Sequence, residues 1–200
     1  MIENEILALR KKAIKELYGS IYSEVTYIGD KRYHFTEQEI PVADILIHLP
    51  KEFIDLPLAI ARLKYPSEMR PKCIKSSMDI TINFTFNHLP DKLLENELIA
   101  FRNAALDMLR KLYPQNTYLE TGLNYYGEKK NRTFSWYEYY GPTIDVESYS
   151  FNALMVKDGR VLHYNFNCPK SIYEDWRPIV FETVSSIRDK PIGWKGENKL

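Results

Sequence analysis

The sequence is poor in the residues from which many catalytic and metal sites are built. Its 200 residues include two cysteines, Cys73 and Cys168, four histidines and eight glycines. Two isolated cysteines provide neither the spacing of a zinc site nor a disulfide framework, and we expect both to be reduced. The few glycines form no phosphate-binding loop, and no nucleophile elbow is present. We therefore expect a non-enzyme with no catalytic residue, no metal and no cofactor.

Long apolar runs and an excess of charge of either sign are also missing. No stretch of about 18 apolar residues occurs, so we expect no membrane insertion. Lys+Arg and Asp+Glu both total 27, which removes any general attraction to nucleic acid. Glu3 and Glu5 lie where a secretory signal would need positive charge or apolar residues. These features predict a cytoplasmic protein that does not bind nucleic acid.

Tyrosine, in contrast, is abundant. The chain has 15 tyrosines, and 44% of its residues are hydrophobic. This composition is typical of a folded domain with a sizeable core. Tyrosine is enriched both in β-strands and in contact surfaces, so its abundance favours a strand-rich protein that binds a partner.

Apolar periodicity divides the chain into three parts. Apolar residues recur at helical spacing from Ile2 to Leu17, which predicts an N-terminal helical extension over residues 1–20. Residues 21–188 are assigned to a single α+β domain, and residues 189–200 to a polar tail. The N-terminal helix either packs on the domain or is an amphipathic arm that binds a partner or joins copies of the chain into a homo-oligomer.

The clearest strand and the longest helix follow each other in the middle of the chain. Apolar and polar residues alternate over Asp79–Asn87, which predicts an antiparallel strand with one covered face. The segment from Asp91 to Leu112 predicts a helix with Asp91 as its N-cap. Its apolar stripe comprises Leu94, Leu98, Phe101, Ala105, Met108 and Leu112.

Four more strands and a closing helix are predicted after the long helix. Asp175 is the expected N-cap of the closing helix, with Pro178 in its first turn. Runs of adjacent strands indicate an α+β protein. We predict an antiparallel sheet meander packed by a long central helix and a C-terminal helix, with an extra N-terminal helix. The four strands are expected at Tyr118–Tyr126, Arg132–Tyr140, Val146–Val156 and Arg160–Asn167.

Several short motifs occur in a recognisable order. They are Leu49-Pro50-x-x-Phe53, Tyr65-Pro66 through Arg70-Pro71, the Asp79–Phe86 strand, Leu112-Tyr113-Pro114, and Phe166-x-Cys168 followed by Trp176 and Ser186-Ile187. This arrangement resembles the Mog1/PsbP-like fold family, including the bacterial DcrB-like domains. The resemblance extends from about Tyr33 to Arg188 and leaves the N-terminal helix outside.

The resemblance implies a binding role. Members of this fold family include a Ran-binding nuclear transport factor, an extrinsic photosystem subunit, bacterial lipoproteins and chaperones of type VI secretion effectors, and they share no catalytic residue. It implies a non-catalytic protein-binding module, acting as a chaperone, an adaptor or an immunity-like partner of another bacterial protein. Fold likeness alone does not establish this function.

A face of the predicted sheet supplies the candidate site. Strand alternation places Tyr137 and Tyr139 on one side, and neighbouring strands add Asn152, His163 and Asn165. A wall of tyrosine, asparagine and histidine suits a peptide or a small polar ligand. The alternative function is therefore a small-ligand-binding protein or an enzyme using this face. The same residues are also consistent with ordinary cross-strand packing.

Overall fold

The computed structural model describes residues 6, 9, 13, 19–127, 130–143 and 146–194. Most of the predicted N-terminal helix lies outside these residues. Ile6, Leu9 and Ala13 are described, and each is helical and exposed. Within the described ranges, no helix combines the length and apolar character needed to cross a membrane.

All paired strands run antiparallel, and the chain has the predicted α+β architecture. The strands are β1 (Thr26–Ile28), β2 (Lys31–Tyr33), β3 (Phe35–Ile40), β4 (Ile45–Pro50), β5 (Ile54–Asp55), β6 (Cys73–Ser76), β7 (Asn83–Lys92), β8 (Thr117–Tyr126), β9 (Arg132–Pro142), β10 (Glu147–Lys157), β11 (Arg160–Pro169) and β12 (Arg188–Asp189). The helices are α1 (Leu58–Lys64), α2 (Leu98–Leu112) and α3 (Tyr173–Ser185).

The described strands form a large sheet, a small sheet and a hairpin. The large sheet has the order β5-β6-β7-β11-β10-β9-β8, and the small sheet has the order β12-β4-β3. Strands β8 to β11 form the meander that the sequence predicted. Strands β1 and β2 pair separately around Gly29, whose φ of 59° suits the predicted hairpin turn.

The large sheet is covered on both faces. On one face, Leu98 and Leu106 of α2 pack against Tyr137 and Leu154. On the other face, Phe181 of α3 contacts the central strands, and the small sheet completes the same core. The expectation of a single covered face for the β7 segment is wrong, because layers lie on both sides of the sheet.

Trp176 links three layers of the core. Its indole lies 5.1 Å from the Tyr33 ring and 5.4 Å from the Phe166 ring, measured between centroids. It also contacts Phe53 and Phe84, each at 6.1 Å. Aromatic pairs at these separations contribute beyond their buried area. The core role that the sequence suggested for this end of the chain, with Cys168 buried beside it, is confirmed.

The strand expected at Asp79 begins four residues later, because a turn occupies its start. One oxygen of the Asp79 carboxylate accepts hydrogen bonds from the Ser77 hydroxyl at 2.6 Å and from the Thr81 hydroxyl at 2.8 Å. These bonds, led by the one from Ser77, hold the pKa of Asp79 below its usual range. Ile80 takes a φ of 55° within this turn. Strand β7 therefore starts at Asn83.

Both predicted helix N-caps are also wrong. Asp91 belongs to β7, whose last residue, Lys92, pairs with Arg160, and a 3-10 turn at Glu95–Glu97 leads into α2. Helix α3 begins at Tyr173, so Asp175 lies in its first turn rather than before it. In both places a short 3-10 turn joins strand to helix, and apolar periodicity does not mark such turns.

Helix α2 buries only part of the predicted stripe, namely Leu98 and, less completely, Phe101. Leu98 and Leu106 are buried, but Met108 and Leu112 remain 59% and 62% exposed. Arg102 donates to the Gly122 carbonyl at 3.0 Å, so the helix turns this side toward β8. Met108 and Leu112 are four residues apart and therefore share a helix face. That face lies to one side of the contact with the sheet, so both residues stay exposed.

An ion pair attaches α3 to the large sheet. Glu138 of β9 is 2% exposed, and its carboxylate accepts hydrogen bonds from Arg177 at 2.9 and 3.0 Å. The Tyr149 hydroxyl donates to the same carboxylate at 2.5 Å. Arg177 also pairs with Glu120 of β8 at 2.8 Å. The guanidinium thus joins α3 to two strands of the sheet, and its pKa is raised, chiefly by hydrogen bonding to Glu138.

The start of the predicted polar tail is attached to the small sheet. Asp189 pairs with Ile45 across β12 and β4 and forms ion pairs with Arg132 and Lys157. Lys190 binds Glu39 at 2.8 Å. The chain therefore stays in contact with the fold beyond residue 188.

Replacing Arg177 with methionine should destabilise the fold strongly. The change leaves the buried Glu138 carboxylate without its cation, which typically costs about 3–5 kcal/mol. The matched control is Arg110→Met, which removes an exposed pair with Asp107 and should cost below about 1 kcal/mol. Urea denaturation of both variants measures the difference. Equal losses of stability would contradict the anchoring role of Arg177.

Candidate functional site

The five residues predicted as a site lie together on the α2 face of the large sheet. Asn152 pairs in register with Tyr137 on one side and with Asn165 on the other. His163 lies opposite Leu154, and Tyr139 lies opposite Ser150. Tyr137 and Asn152 are buried, and the other three are half-buried. Tyr137 belongs to the cluster beneath α2, so part of this face is covered.

A chain of side-chain amides crosses this face. Asn83 donates to Asn167 at 3.0 Å, Asn167 to Asn165 at 3.1 Å, and Asn165 to Asn152 at 3.1 Å. The imidazole Nε2 of His163 lies 3.0 Å from the same Asn152 oxygen. Sequence reasoning missed Asn83 and Asn167, although Asn167 shares the strand phase of Asn165.

The amide chain ends at an unsatisfied donor. The Asn152 side-chain nitrogen is buried, and no described residue accepts a hydrogen bond from it. A buried polar group without a partner costs about 1–3 kcal/mol. Such groups in native structures call for a specific explanation, such as a bound water or ligand.

His163 is neutral at pH 7. Burial lowers the pKa of its imidazole to about 4 from an ordinary value of 6.5. The neutral ring carries one N–H, and the Asn152 oxygen beside Nε2 fixes that proton on Nε2. The ring therefore acts as a hydrogen-bond donor within the sheet face.

Acid should destabilise the fold through His163. The unfolded chain binds a proton near pH 6.5, whereas the folded chain does not until about pH 4, so stability is full above pH 6.5 and falls between these values. The loss is at most about 3 kcal/mol. Glutamine at this position cannot titrate, so His163→Gln should flatten this part of the stability curve. An unchanged slope, measured by urea denaturation across this pH range, would rule out His163 as its source.

A second candidate site lies on the opposite side of the molecule. A cleft of about 730 Å³ opens between α3, the small sheet and the C-terminal end of β8. Sequence analysis gave no sign of it, because its walls come from four separate parts of the chain. The residues that give it its chemical character are Tyr22, Tyr125, Lys130, Phe181, Glu182 and Arg188.

Two exposed tyrosines flank the cleft, and a half-buried carboxylate lies within it. Tyr22 and Tyr125 are 67% and 59% exposed. The Glu182 carboxylate accepts hydrogen bonds from the Ser20 hydroxyl and the Ile21 amide, both at 2.9 Å and both on the same oxygen, Oε2. Burial, and then the nearby Glu182 charge, raises the pKa of Tyr22.

The charged groups of the cleft differ in their partners. Arg188 forms two hydrogen bonds of 2.6 Å with Glu37, which neutralise both side chains. Among the described residues, neither Glu182 nor Lys130 forms an ion pair. Glu182 therefore offers a negative charge to an incoming group.

The cleft adjoins an open strand edge. Strand β8 ends the large sheet, and no described strand pairs with its outer side. Trp136 packs directly against this strand. Its indole leaves no room for a side chain at Gly122, where a Cβ would lie 2.6 Å from the ring. The indole N–H also donates a hydrogen bond to Asn124 at 2.7 Å. Tyr125 and Asn124 thus connect the strand edge with the cleft.

The cysteines are not placed for nucleophilic chemistry. Burial raises the pKa of the Cys73 thiol to about 11 and raises that of Cys168 further. Both thiols are therefore protonated at neutral pH, and the thiol form is a weak nucleophile. Within the part of the chain that the structure describes, no three His, Cys, Asp or Glu side chains are grouped as metal ligands.

Comparison with known proteins identifies the fold. No protein-family model matches the chain, and no curated protein matches it. Among solved structures, it is similar to cyanobacterial PsbP (CyanoP) from Synechocystis sp. PCC 6803, with 11% identity and a TM-score of 0.53 over 80% of this chain and 95% of that one. It is also similar to LpqN of Mycobacterium tuberculosis, described as involved in cell envelope biogenesis, with 12% identity and a TM-score of 0.51 over 82% and 95%.

These likenesses establish a fold class and no more. The chain has the Mog1/PsbP-like fold, as its motif order predicted. At 11–12% identity, the function of either protein does not transfer to this chain.

Proposed function

We propose that the protein is a non-catalytic protein-binding module. In this proposal it acts as a chaperone, an adaptor or an immunity-like partner of another bacterial protein. The observation that carries it is the open edge of β8 beside the cleft, which two exposed tyrosines, Tyr22 and Tyr125, help to line. Exposed tyrosines are enriched in protein interfaces, and unpaired strand edges accept main-chain hydrogen bonds from a partner.

The chemistry of the described side chains supports a binding role. The two thiols are protonated, His163 is held neutral in a sheet face, and the buried Glu138 is committed to Arg177. None of these groups lies in the cleft. The groups that do lie there suit recognition, because rings and hydrogen-bonding side chains surround one available carboxylate.

Site-specific photo-crosslinking in the source organism tests this function. A photoreactive benzoylphenylalanine replaces Tyr125 in one variant and Tyr22 in a second. A matched control carries it at Tyr113, an exposed tyrosine after α2 on the other side of the sheet. We expect the same partner protein to be crosslinked from Tyr125 and Tyr22, but not from Tyr113.

Two results would overturn the proposal. Crosslinking of the same proteins from all three positions would indicate nonspecific collisions. No crosslinked protein from either cleft position, with each variant folded and expressed, would show that no protein partner occupies the cleft.

A second candidate function is the binding of a small polar ligand on the α2 face. The unsatisfied Asn152 nitrogen favours it, because a ligand oxygen would supply the missing acceptor. Titration with acetate and acetamide should then shift the side-chain amide resonances of Asn152 in NMR spectra. Unchanged resonances with both probes would exclude an acceptor site for such groups at this nitrogen.

A further inference from the structure

We infer that the partner segment adds to the large sheet as an extended strand beside Leu123–Tyr126 and places a basic side chain against Glu182. This inference rests on the proposed protein-binding function and specifies how the partner is recognised. It requires an accessible length of strand edge, room for a side chain next to that edge, and a charge to select the side chain.

The accessible edge is confined to the second half of β8. A register shift separates Tyr118 from Thr121, and such bulges interrupt regular pairing. Arg102 of α2 already donates to the Gly122 carbonyl. From Leu123 to Tyr126 the pairing with β9 is regular, so this part has the geometry needed for another strand.

The edge lacks the usual protection against pairing. Exposed strand edges are commonly blocked by lysine, proline or inward-pointing charges. The Leu123–Tyr126 segment contains no charged residue and no proline, and Leu123 and Tyr125 are exposed. Glu120, the charged residue of β8, is bound by Arg177. An extended peptide backbone is the occupant that matches such an edge.

The cleft receives alternate side chains of the added strand. Asn124 lies on the α3 face, because its amide oxygen accepts from Trp136. Successive residues of a strand point to opposite faces. A partner residue paired with Asn124 therefore points toward the α3 side, where Phe181 and Glu182 line the cleft.

Charge selects a basic side chain for that position. The Glu182 oxygen Oε1 has no described hydrogen-bond partner, since both donors bind Oε2. Arg188 is neutralised by Glu37, which leaves Glu182 to attract the partner. Lys130 also lines the cleft and carries the opposite charge. It weakens the preference for a basic side chain but does not remove it.

Synthetic peptides test the inference directly. The probe is a short, fluorescently labelled, threonine- and valine-rich peptide with a central lysine, compared with the same peptide carrying glutamate. Fluorescence anisotropy should show about tenfold tighter binding of the lysine peptide, as expected for one charge-assisted hydrogen bond. N-methylation of alternate backbone amides should abolish binding, because the methyl groups block pairing with β8.

Variants of the protein separate the charge from the strand edge. Glu182→Gln keeps an acceptor for Ser20 and Ile21 and should reduce the lysine preference about tenfold. Lys130→Met should instead increase it. Asp107→Asn, an exposed carboxylate on α2, is the matched control and should change nothing.

The inference fails if the two peptides bind equally, if N-methylation has no effect, or if no peptide binds. It also fails if light scattering shows a dimer that Leu123→Lys, at the exposed edge of β8, converts to a monomer, because β8 would then pair with a second copy. These outcomes are distinct from failure of the general proposal, since crosslinking at Tyr125 and Tyr22 would still report a partner that binds in another way.

Discussion

Burial of the central strands on both faces is the constraint on which the rest of the molecule depends. Helix α2 covers one face of β9 and β10, and α3 with the small sheet covers the other. Side chains of both phases are therefore used for packing, including tyrosines that would suit a binding surface. The outer edge of β8 and the cleft beside it lie where these layers end, and this is where we propose that a partner binds.

Two adjacent residues of α3, Trp176 and Arg177, attach this helix to the large sheet in different ways. Trp176 fills the apolar centre between α3, the hairpin and the large sheet. Arg177, next in sequence, reaches the buried carboxylate of Glu138. The apolar contact tolerates small displacements, whereas the two-pronged ionic contact requires one orientation. Together they set the position of α3, and hence of Glu182 on its last turns.

The fold could be predicted from the sequence where periodicity was strong, and this explains the correct meander and closing helix. The errors arose where local hydrogen bonds compete with periodicity, as at Asp79, or where two faces of a helix are similarly apolar. Leu106 and Leu109 offered an alternative to Met108 and Leu112, and only the position of the sheet decides between them. The predicted site residues do meet on one face, because strand phase is readable. The cleft was not predictable, because long-range packing brings its walls together.

The contacts of Glu182 have a consequence for how the protein is made. Its carboxylate holds Ser20 and Ile21, which lie more than 160 positions earlier in the chain. The cleft is complete only once α3 has been synthesised, so a nascent chain on the ribosome lacks it while most of the sheet strands are already available. The chain therefore acquires the cleft only after α3 has followed the strands of the large sheet in synthesis.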